Sequence, residues 1–374
     1  MRVAILRRIP KASVSMDVYA DRLVSGLQTV RPDWTILECY PMVTSKDAGF
    51  FRRFEGVRKY YERYWRYPAR LDQLEADIFH VVDHSDGYLN ARLRRAQRPS
   101  VVTCHDLINL IRPDTFKGRA RFPLISMAAW RRGVEGMRQA NHIITVSSQT
   151  KQDVIQHMGI PSQTITVVPN GVNAIFQRLA PDEIQATRQH YGLTKEHLCL
   201  LNVGSNNARK NIATILEVVS LLKQQGVAVY FWKAGADFTA DQAEIIHAKG
   251  LEDCVSYLGK PDAETLVKLY NAADILVAPS TYEGFGLTVL EAMACGTAVV
   301  TSNVTSLPEV AGDAALLVDP MDKGAIVEAI LQLHTDLSLR DHLIQKGLNR
   351  VKAFTWERTA EQVVKVYEEV LVQK

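Results

Sequence analysis

The sequence predicts an α/β protein built from two doubly wound domains, and three observations carry that prediction. Short apolar runs of strand length alternate with longer helical patterns twice over. At 374 residues the chain is too long for one comfortable core and suits two. A turn signal, Pro169-Asn170-Gly171-Val172, followed by a polar stretch through Pro181, divides it near the middle.

In the first half the strand candidates are Val3–Leu6, Thr35–Leu37, Ile78–Val82, Val101–Thr103, His142–Val146 and Ile165–Val168. The opening Met1-Arg2-Val3-Ala4-Ile5-Leu6 is read as a first core strand and not as a signal peptide, because its apolar segment is short and arginines follow it. In the second half the candidates are Leu198–Val203, Val227–Trp232, Val255–Leu258, Asp274–Val277, Ala298–Val300 and Ala315–Val318. The domains are therefore expected at 1–175 and 176–354.

Composition narrows the function classes. Hydrophobic content of 47% and charged content of 23% are those of a soluble globular protein. No apolar run approaches the roughly 18 residues of a membrane-spanning helix. The five cysteines are scattered, without a Cys-x-x-Cys pair or zinc-like His spacing, as in a cytoplasmic protein with reduced, packed thiols. Net charge is +3 but unevenly divided: residues 1–175 carry 26 Lys+Arg against 16 Asp+Glu, and residues 176–374 carry 18 against 25. The basic half is expected to face an anionic partner.

The most informative stretch is Glu283-Gly284-Phe285-Gly286-Leu287-Thr288-Val289-Leu290-Glu291. Ala273–Ala278 reads as a strand ended by Pro279, and Gly286–Ala294 reads as a helix closed by Gly296. Ligands of such a β-α-β unit sit beyond the carboxyl ends of the strands, where the helix N-terminus presents N–H groups. Glu283 then falls at the rim of a site, and Gly284 and Gly286 let a ligand approach the amides around Phe285. Glu291 lies on a mostly apolar helix and needs a partner, for which a sugar or ribose diol is well suited. The plain alternative is two surface glutamates on an ordinary helix.

A second constellation is Gly204-Ser205-Asn206-Asn207-Ala208-Arg209-Lys210-Asn211, which follows a strand and precedes a helix beginning at Ile212. Adjacent cations at a helix N-terminus make a diphosphate site by point charge and by oriented N–H groups. An Arg-Lys pair in a loop is otherwise solvated surface. In the first half, Thr103-Cys104-His105-Asp106-Leu107 follows a strand, and His105 could donate to a sugar hydroxyl or manage an acceptor proton.

The order Pro279-Ser280, Glu283-Gly284-Phe285-Gly286, Glu291-Ala292-Met293-Ala294-Cys295-Gly296-Thr297, Pro308-Glu309-Val310, Gly312 and Asp319-Pro320 resembles the Glu-x7-Glu region of retaining nucleotide-sugar glycosyltransferases of family four. The resemblance implies the GT-B fold, two facing Rossmann-like domains with a cleft between them, and a terminal helix at about 355–374 that returns to the first domain. It implies an enzyme, a hexosyltransferase, that moves a hexose from a nucleoside diphosphate sugar of GDP-mannose or UDP-glucose type to an acceptor hydroxyl in polysaccharide or glycolipid synthesis. A mannosyltransferase-like member fits the Arg-Lys-Asn loop. In family terms Lys210 and Arg209 stabilise the leaving diphosphate, and Glu283 with the Gly284-Phe285-Gly286-Leu287 segment holds the sugar. Glu291 holds the ribose, Gly204 and Ser205 line the donor loop, and His105 sits beside the reacting centre. Many members have arginine directly after the loop glycine, where this chain has Ser205. The first loop, Arg7 to Asp17, lacks the consecutive glycines of many relatives and offers Ser13 and Ser15 instead, which with Asp106 are the acceptor-side candidates.

No Asp-x-Asp triplet is present, so neither a metal nor another cofactor is expected, and the cations and helix dipoles carry the diphosphate charge. The segment Phe50–Tyr67 mixes arginines and lysine with aromatic rings, which suits an anionic membrane surface. A partly buried domain helix is the equal alternative, and nucleic acid is not expected. The expected location is cytoplasmic, at the inner face of the plasma membrane if that segment binds lipid. A GT-B sugar-nucleotide epimerase and a non-catalytic nucleotide-sugar-binding subunit are the competing functions.

Overall fold

Each half of the chain folds its six apolar runs into one parallel sheet. The structure is a computed structural model that describes residues 1–10, 14–42, 58, 60–112 and 123–372. Met1–Gly171 and Trp356–Lys374 form one unit, and Val172–Thr355 forms the other. The first sheet comprises β1 (Arg2–Leu6), β2 (Thr35–Cys39), β3 (Ile78–Val81), β4 (Ser100–Cys104), β5 (His142–Thr145) and β6 (Ile165–Val167), in the order β2-β1-β3-β4-β5-β6. The second comprises β7 (Leu198–Gly204), β8 (Val229–Gly235), β9 (Val255–Tyr257), β10 (Ile275–Ala278), β11 (Ala298–Ser302) and β12 (Leu316–Val318), in the order β12-β11-β10-β7-β8-β9.

Helices cover both faces of a parallel sheet, so its strands read as unbroken apolar runs without alternation. Val3 to Leu6 in β1 and Ile275 to Ala278 in β10 are accordingly all buried. The strand order reverses between β1 and β3 in the first unit and between β7 and β10 in the second. Such reversals open a crevice at the carboxyl ends of the strands, because the crossing helices leave on opposite faces there.

The helix Trp356–Val372 belongs to the first unit, where Ala360, Val363, Tyr367 and Val370 at helical spacing pack with Tyr19, Leu23 and Leu27 of the helix Val14–Val30. The two helices approach so closely that a Cβ at Gly26 would stand 2.8 Å from the Trp356 carbonyl oxygen. Tyr367 OH lies 2.6 Å from His80 Nδ1, and His80 Nε2 lies 2.7 Å from Thr103 Oγ1. Burial pushes the His80 pKa down to about 3, so this core histidine is a neutral hydrogen-bonding group.

All twelve expected strands are present, and one differs in a way that matters. The run expected at Val227–Trp232 forms a strand over Val229–Gly235, past a lysine. The Lys233 ammonium is accommodated by the carbonyls of Gly204 and Ala234, at 2.9 and 3.0 Å. Gly235, at φ 105°, lets β8 run against the Gly204 backbone, where a Cβ would stand 2.3 Å from the Gly204 oxygen.

Candidate functional site

The loops after β7 and β10 meet where the strand order of the second sheet reverses. Ala208–Lys210 makes a single 3₁₀ turn, and Asn211, left-handed at φ 59°, starts the helix Ile212–Gln224. Asparagine tolerates that conformation. Its Nδ2 donates to the carbonyls of Pro279 and Pro320, at 3.1 and 2.7 Å, which ties this turn to the loops after β10 and β12. Thr281 N–H donates to the Arg209 carbonyl at 2.8 Å.

Those backbone ties bring Arg209 and Lys210 onto one carboxylate. Glu283 Oε2 lies 2.6 Å from Arg209 Nη1, and Oε1 lies 2.6 Å from Lys210 Nζ. Arg209 Nη1 also donates to the Tyr282 carbonyl at 3.0 Å, and Ser280 Oγ donates to Glu283 Oε1 at 2.9 Å. Glu283 is 8% exposed. Burial pushes its pKa up, but Lys210 and Arg209 outweigh that cost and hold it at about 2. The carboxylate is charged throughout the physiological range.

A third loop, after β11, fixes the Glu283 backbone. Its N–H donates to Thr305 Oγ1 at 3.1 Å, and Ser306 Oγ lies within hydrogen-bonding distance of the carbonyls of Glu283 and Phe285, at 2.9 and 2.7 Å. Thr305 holds φ 58°, a strained conformation for a β-branched residue, and this directs its hydroxyl at the Glu283 amide.

The helix expected at Gly286–Ala294 runs Leu287–Ala294 with Gly286 as its N-cap. Gly286 requires glycine for two reasons: φ is 118°, and a Cβ would stand 2.9 Å from Leu307 Cδ2. Phe285 is buried, edge-on to Phe354 at 6.1 Å, while Gly284 and Leu287 are half-buried. Glu291, half-buried in the same helix, accepts from Tyr270 OH through Oε2 at 2.8 Å. Burial raises the Glu291 pKa; the Tyr270 hydrogen bond and the Lys210 charge oppose that rise. Gly204, at φ 133°, lies against Lys210, since a Cβ there would stand 3.5 Å from Lys210 Nζ. Ser205 is exposed and accepts from Asn207 Nδ2 at 2.9 Å.

Two family models match this chain: glycosyltransferase family 4 over residues 5–175, and glycosyl transferases group 1 over residues 183–350. The O-antigen chain mannosyltransferase B of Escherichia coli is 35% identical over 284 residues, which cover 75% of this chain and 72% of that protein. The chain belongs to glycosyltransferase family 4. The serotype-specific mannosyltransferase WbdA of Escherichia coli is 28% identical over 313 residues, covering 80% of this glycosyltransferase but 38% of WbdA. Sucrose-phosphate synthase from Thermosynechococcus elongatus matches the whole chain over its own full length, with a TM-score of 0.77 at 23% identity. HepE of Anabaena, solved in complex with UDP and glucose, covers 99% of the chain with all of its own length, at a TM-score of 0.78 and 17% identity. These structures share the GT-B fold with this family 4 glycosyltransferase.

The remaining candidates lie in the first unit. His105, at the end of β4, is buried, and its ring stands edge-on to Tyr19 at 4.6 Å. Its Nε2 lies 2.8 Å from the Val82 carbonyl and must donate there, which fixes the tautomer and leaves Nδ1 as the acceptor nitrogen. Burial lowers its pKa. Asp106 turns inward on its own loop, where Oδ1 accepts from the Ile108 N–H at 3.1 Å. Ser15 is exposed in the first turn of the helix Val14–Val30, and Ser13 lies outside the described residues. Among the described residues no group of three or more His, Cys, Asp or Glu could hold a metal ion, and no helix is long and apolar enough to cross a membrane.

Sequence reasoning missed Tyr270, Thr305 and Ser306, which lie on other elements and carry no local signal. It also passed over Lys233, whose signal was available: a lysine continuing an apolar strand run into Ala234-Gly235.

The depressed pKa of Glu283 sets the sign of an acid dependence. Its contribution to stability is full above the unfolded-state value and is lost as pH falls toward about 2. The Glu283→Gln variant is expected to be less stable than wild type at pH 7 by roughly 3 kcal/mol, a gap that narrows to about 1 kcal/mol as the pH is lowered to 2.5. Denaturant titrations at both pH values check this, and an equal gap at the two would refute the ion-pair account.

Proposed function

We propose that this glycosyltransferase retains anomeric configuration and moves a hexose, with mannose as the first choice, from a nucleoside diphosphate sugar to an acceptor hydroxyl on a polysaccharide or lipid-linked glycan. The observation that carries the reading is the Glu283 carboxylate bridging Arg209 and Lys210 at the strand-order reversal. Two relatives named as mannosyltransferases, one of them named for the O-antigen chain, support the choice of sugar and acceptor. Glucose is the second choice, favoured by HepE, which has been solved with UDP-glucose.

In the proposed reaction the bond between the anomeric carbon and the diphosphate oxygen breaks as the acceptor oxygen attacks the same face of the sugar, and the acceptor's proton passes to the departing diphosphate. Negative charge grows on the departing diphosphate. Lys210 and Arg209 meet that charge, and they are already oriented, so little reorganisation is needed as it develops. As the diphosphate takes over the cations, Glu283 is freed to accept from hydroxyls of the transferred hexose. The half-buried Glu291, steadied by Tyr270, takes the ribose diol. His105, neutral and with Nδ1 as acceptor, is assigned to the reacting hydroxyls. No metal is assigned, because the two cations supply the charge a metal would supply.

Lys210→Ala is expected to lower kcat on the order of 10² to 10³-fold, about 3 kcal/mol, without loss of folded protein. Turnover near the wild-type value at saturating donor would remove the assignment. Initial rates should be unchanged in excess EDTA. A loss on chelation that magnesium or manganese restores would show that the cations are not sufficient.

An anionic membrane surface is the proposed site of the acceptor, and the described part of Phe50–Tyr67 supports it through aromatic rings more than through charge. Residues 50–57 and 59 lie outside the described residues. Tyr61 and Trp65, 53% and 67% exposed, stack at 6.4 Å beside the exposed Tyr60. Two of the segment's arginines are engaged within the domain: Arg63 pairs with Asp86 at 2.6 Å, and Arg66 pairs at 2.6 Å with Glu62, which also pairs with Arg70 just beyond the segment at 3.1 Å. Co-sedimentation with anionic vesicles should therefore fall severalfold in a Tyr61→Ser/Trp65→Ser double variant and weaken at high salt. Equal recovery of variant and wild type would make this ordinary domain surface.

A further inference from the structure

Lys233 is the one fully buried lysine of the second unit, and the reaction described above does not use it. Its Nζ donates to the carbonyls of Gly204 and Ala234, at 2.9 and 3.0 Å, and no carboxylate among the described residues forms an ion pair with it. An ammonium has three donors and a large desolvation cost, and two neutral carbonyls offset only part of that cost. The position is also specific. Lys233 donates to the Gly204 carbonyl, and Lys210 lies where a Gly204 Cβ would point, so both ammonium groups meet the same residue.

We propose that Lys233 is a positioning residue for the donor diphosphate, acting through the Gly204–Ser205 peptide and adding a buried positive charge behind the one that Lys210 presents. The Gly204 carbonyl accepts from both Lys233 Nζ and the Ala236 N–H, each at 2.9 Å. A cation on a carbonyl withdraws electron density from the whole peptide, so the Ser205 N–H on its other side becomes a stronger donor toward an anion. The same bond holds β7 and β8 together at the point where Gly235 packs on Gly204. Glu283 already serves both Arg209 and Lys210, so a diphosphate is the anion that would complete the field around Lys233.

Geometry thus gives the role, and titration gives a signature for it. Burial, together with the Lys210 charge, lowers the Lys233 pKa to about 8, with Asp237 opposing. Tyr257 on β9 pairs with Lys233 in the sheet register, and its hydroxyl donates to the Gly235 carbonyl at 2.9 Å, while Lys210 is itself paired with Glu283. Lys233 is charged at neutral pH and loses its proton as pH rises through about 8, so the affinity it adds is present below that value and lost above it.

The inference rests on the nucleoside diphosphate reading, and one titration series separates the two. GDP, UDP and the corresponding nucleosides are titrated into wild type, Lys233→Met and Lys233→Arg at pH 7.5 and pH 9, with melting curves to confirm folding. Wild type is expected to lose diphosphate affinity on the order of fivefold between the two pH values, since one pKa unit is a factor of ten. Lys233→Met should bind diphosphate about tenfold more weakly at pH 7.5, with nucleoside binding unchanged and the alkaline decline removed. Lys233→Arg should keep the affinity and also remove the decline, because guanidinium stays charged while the base titrates as before. A preference of wild type for diphosphate that is flat with pH and equal in Lys233→Met would overturn the role of Lys233 alone. No preference of wild type for diphosphate over nucleoside would overturn the donor reading with it.

Discussion

The Glu283 carboxylate between Arg209 and Lys210 is the interaction on which the second unit's site is organised. Two adjacent cations, each less than a fifth exposed, repel one another strongly where water is scarce. A single carboxylate at 2.6 Å from both turns that repulsion into a clasp between the loops after β7 and β10. A buried ion pair is seldom a net source of stability once desolvation is counted, so its retention here points to use of the charges. Cations held oriented in this way are suited to a charge that develops only in a transition state.

That clasp is possible only where the fold puts it. In the second sheet β7 and β10 are neighbours although two strands separate them in sequence, and the strand order reverses between them. The loops at their carboxyl ends therefore converge. Gly204 and Gly235 allow the backbones to meet there, and Gly286 lets the chain turn into the helix Leu287–Ala294 without a side chain against Leu307. Thr305 accepts a strained backbone so that its hydroxyl can hold the Glu283 amide, a cost met by the packing of the surrounding loops.

Strands that are buried on both faces announce themselves as apolar runs, which is why all twelve were legible in the sequence. Arg209, Lys210, Glu283 and Glu291 were legible as well, through their spacing after strands and the Glu-x7-Glu resemblance. What could not be read was pairing. Nothing local says that Glu283 would serve both cations, or that Tyr270, 21 residues before Glu291, would donate to it from another helix. Lys233 was hidden by the rule that a strand ends at a charge, which fails when a carbonyl of the neighbouring strand and one of its own strand accept the ammonium. Asp106 reads as an acceptor-side candidate, and nothing local signals that its Oδ1 would accept from the Ile108 amide.

The two glutamates of the motif differ in what surrounds them, and the difference separates their chemistry. Glu283 faces two cations and is held at about 2, whereas Glu291 faces a phenol in an apolar helix and is pushed up. Carboxyl groups whose environments move their pKa values apart are suited to different tasks. Glu283 must remain an anion, because protonation would leave Arg209 and Lys210 facing each other uncompensated. Glu291 has no cation within ion-pair distance among the described residues, so it is not fixed to a charge. A group of that kind is matched to uncharged hydroxyl donors, and Tyr270 already shows the mode, with a hydroxyl directed at one oxygen. The motif thus places a carboxylate held by two cations at one end of the segment and a hydroxyl-accepting one two turns away, an arrangement that suits the proposed nucleoside diphosphate sugar.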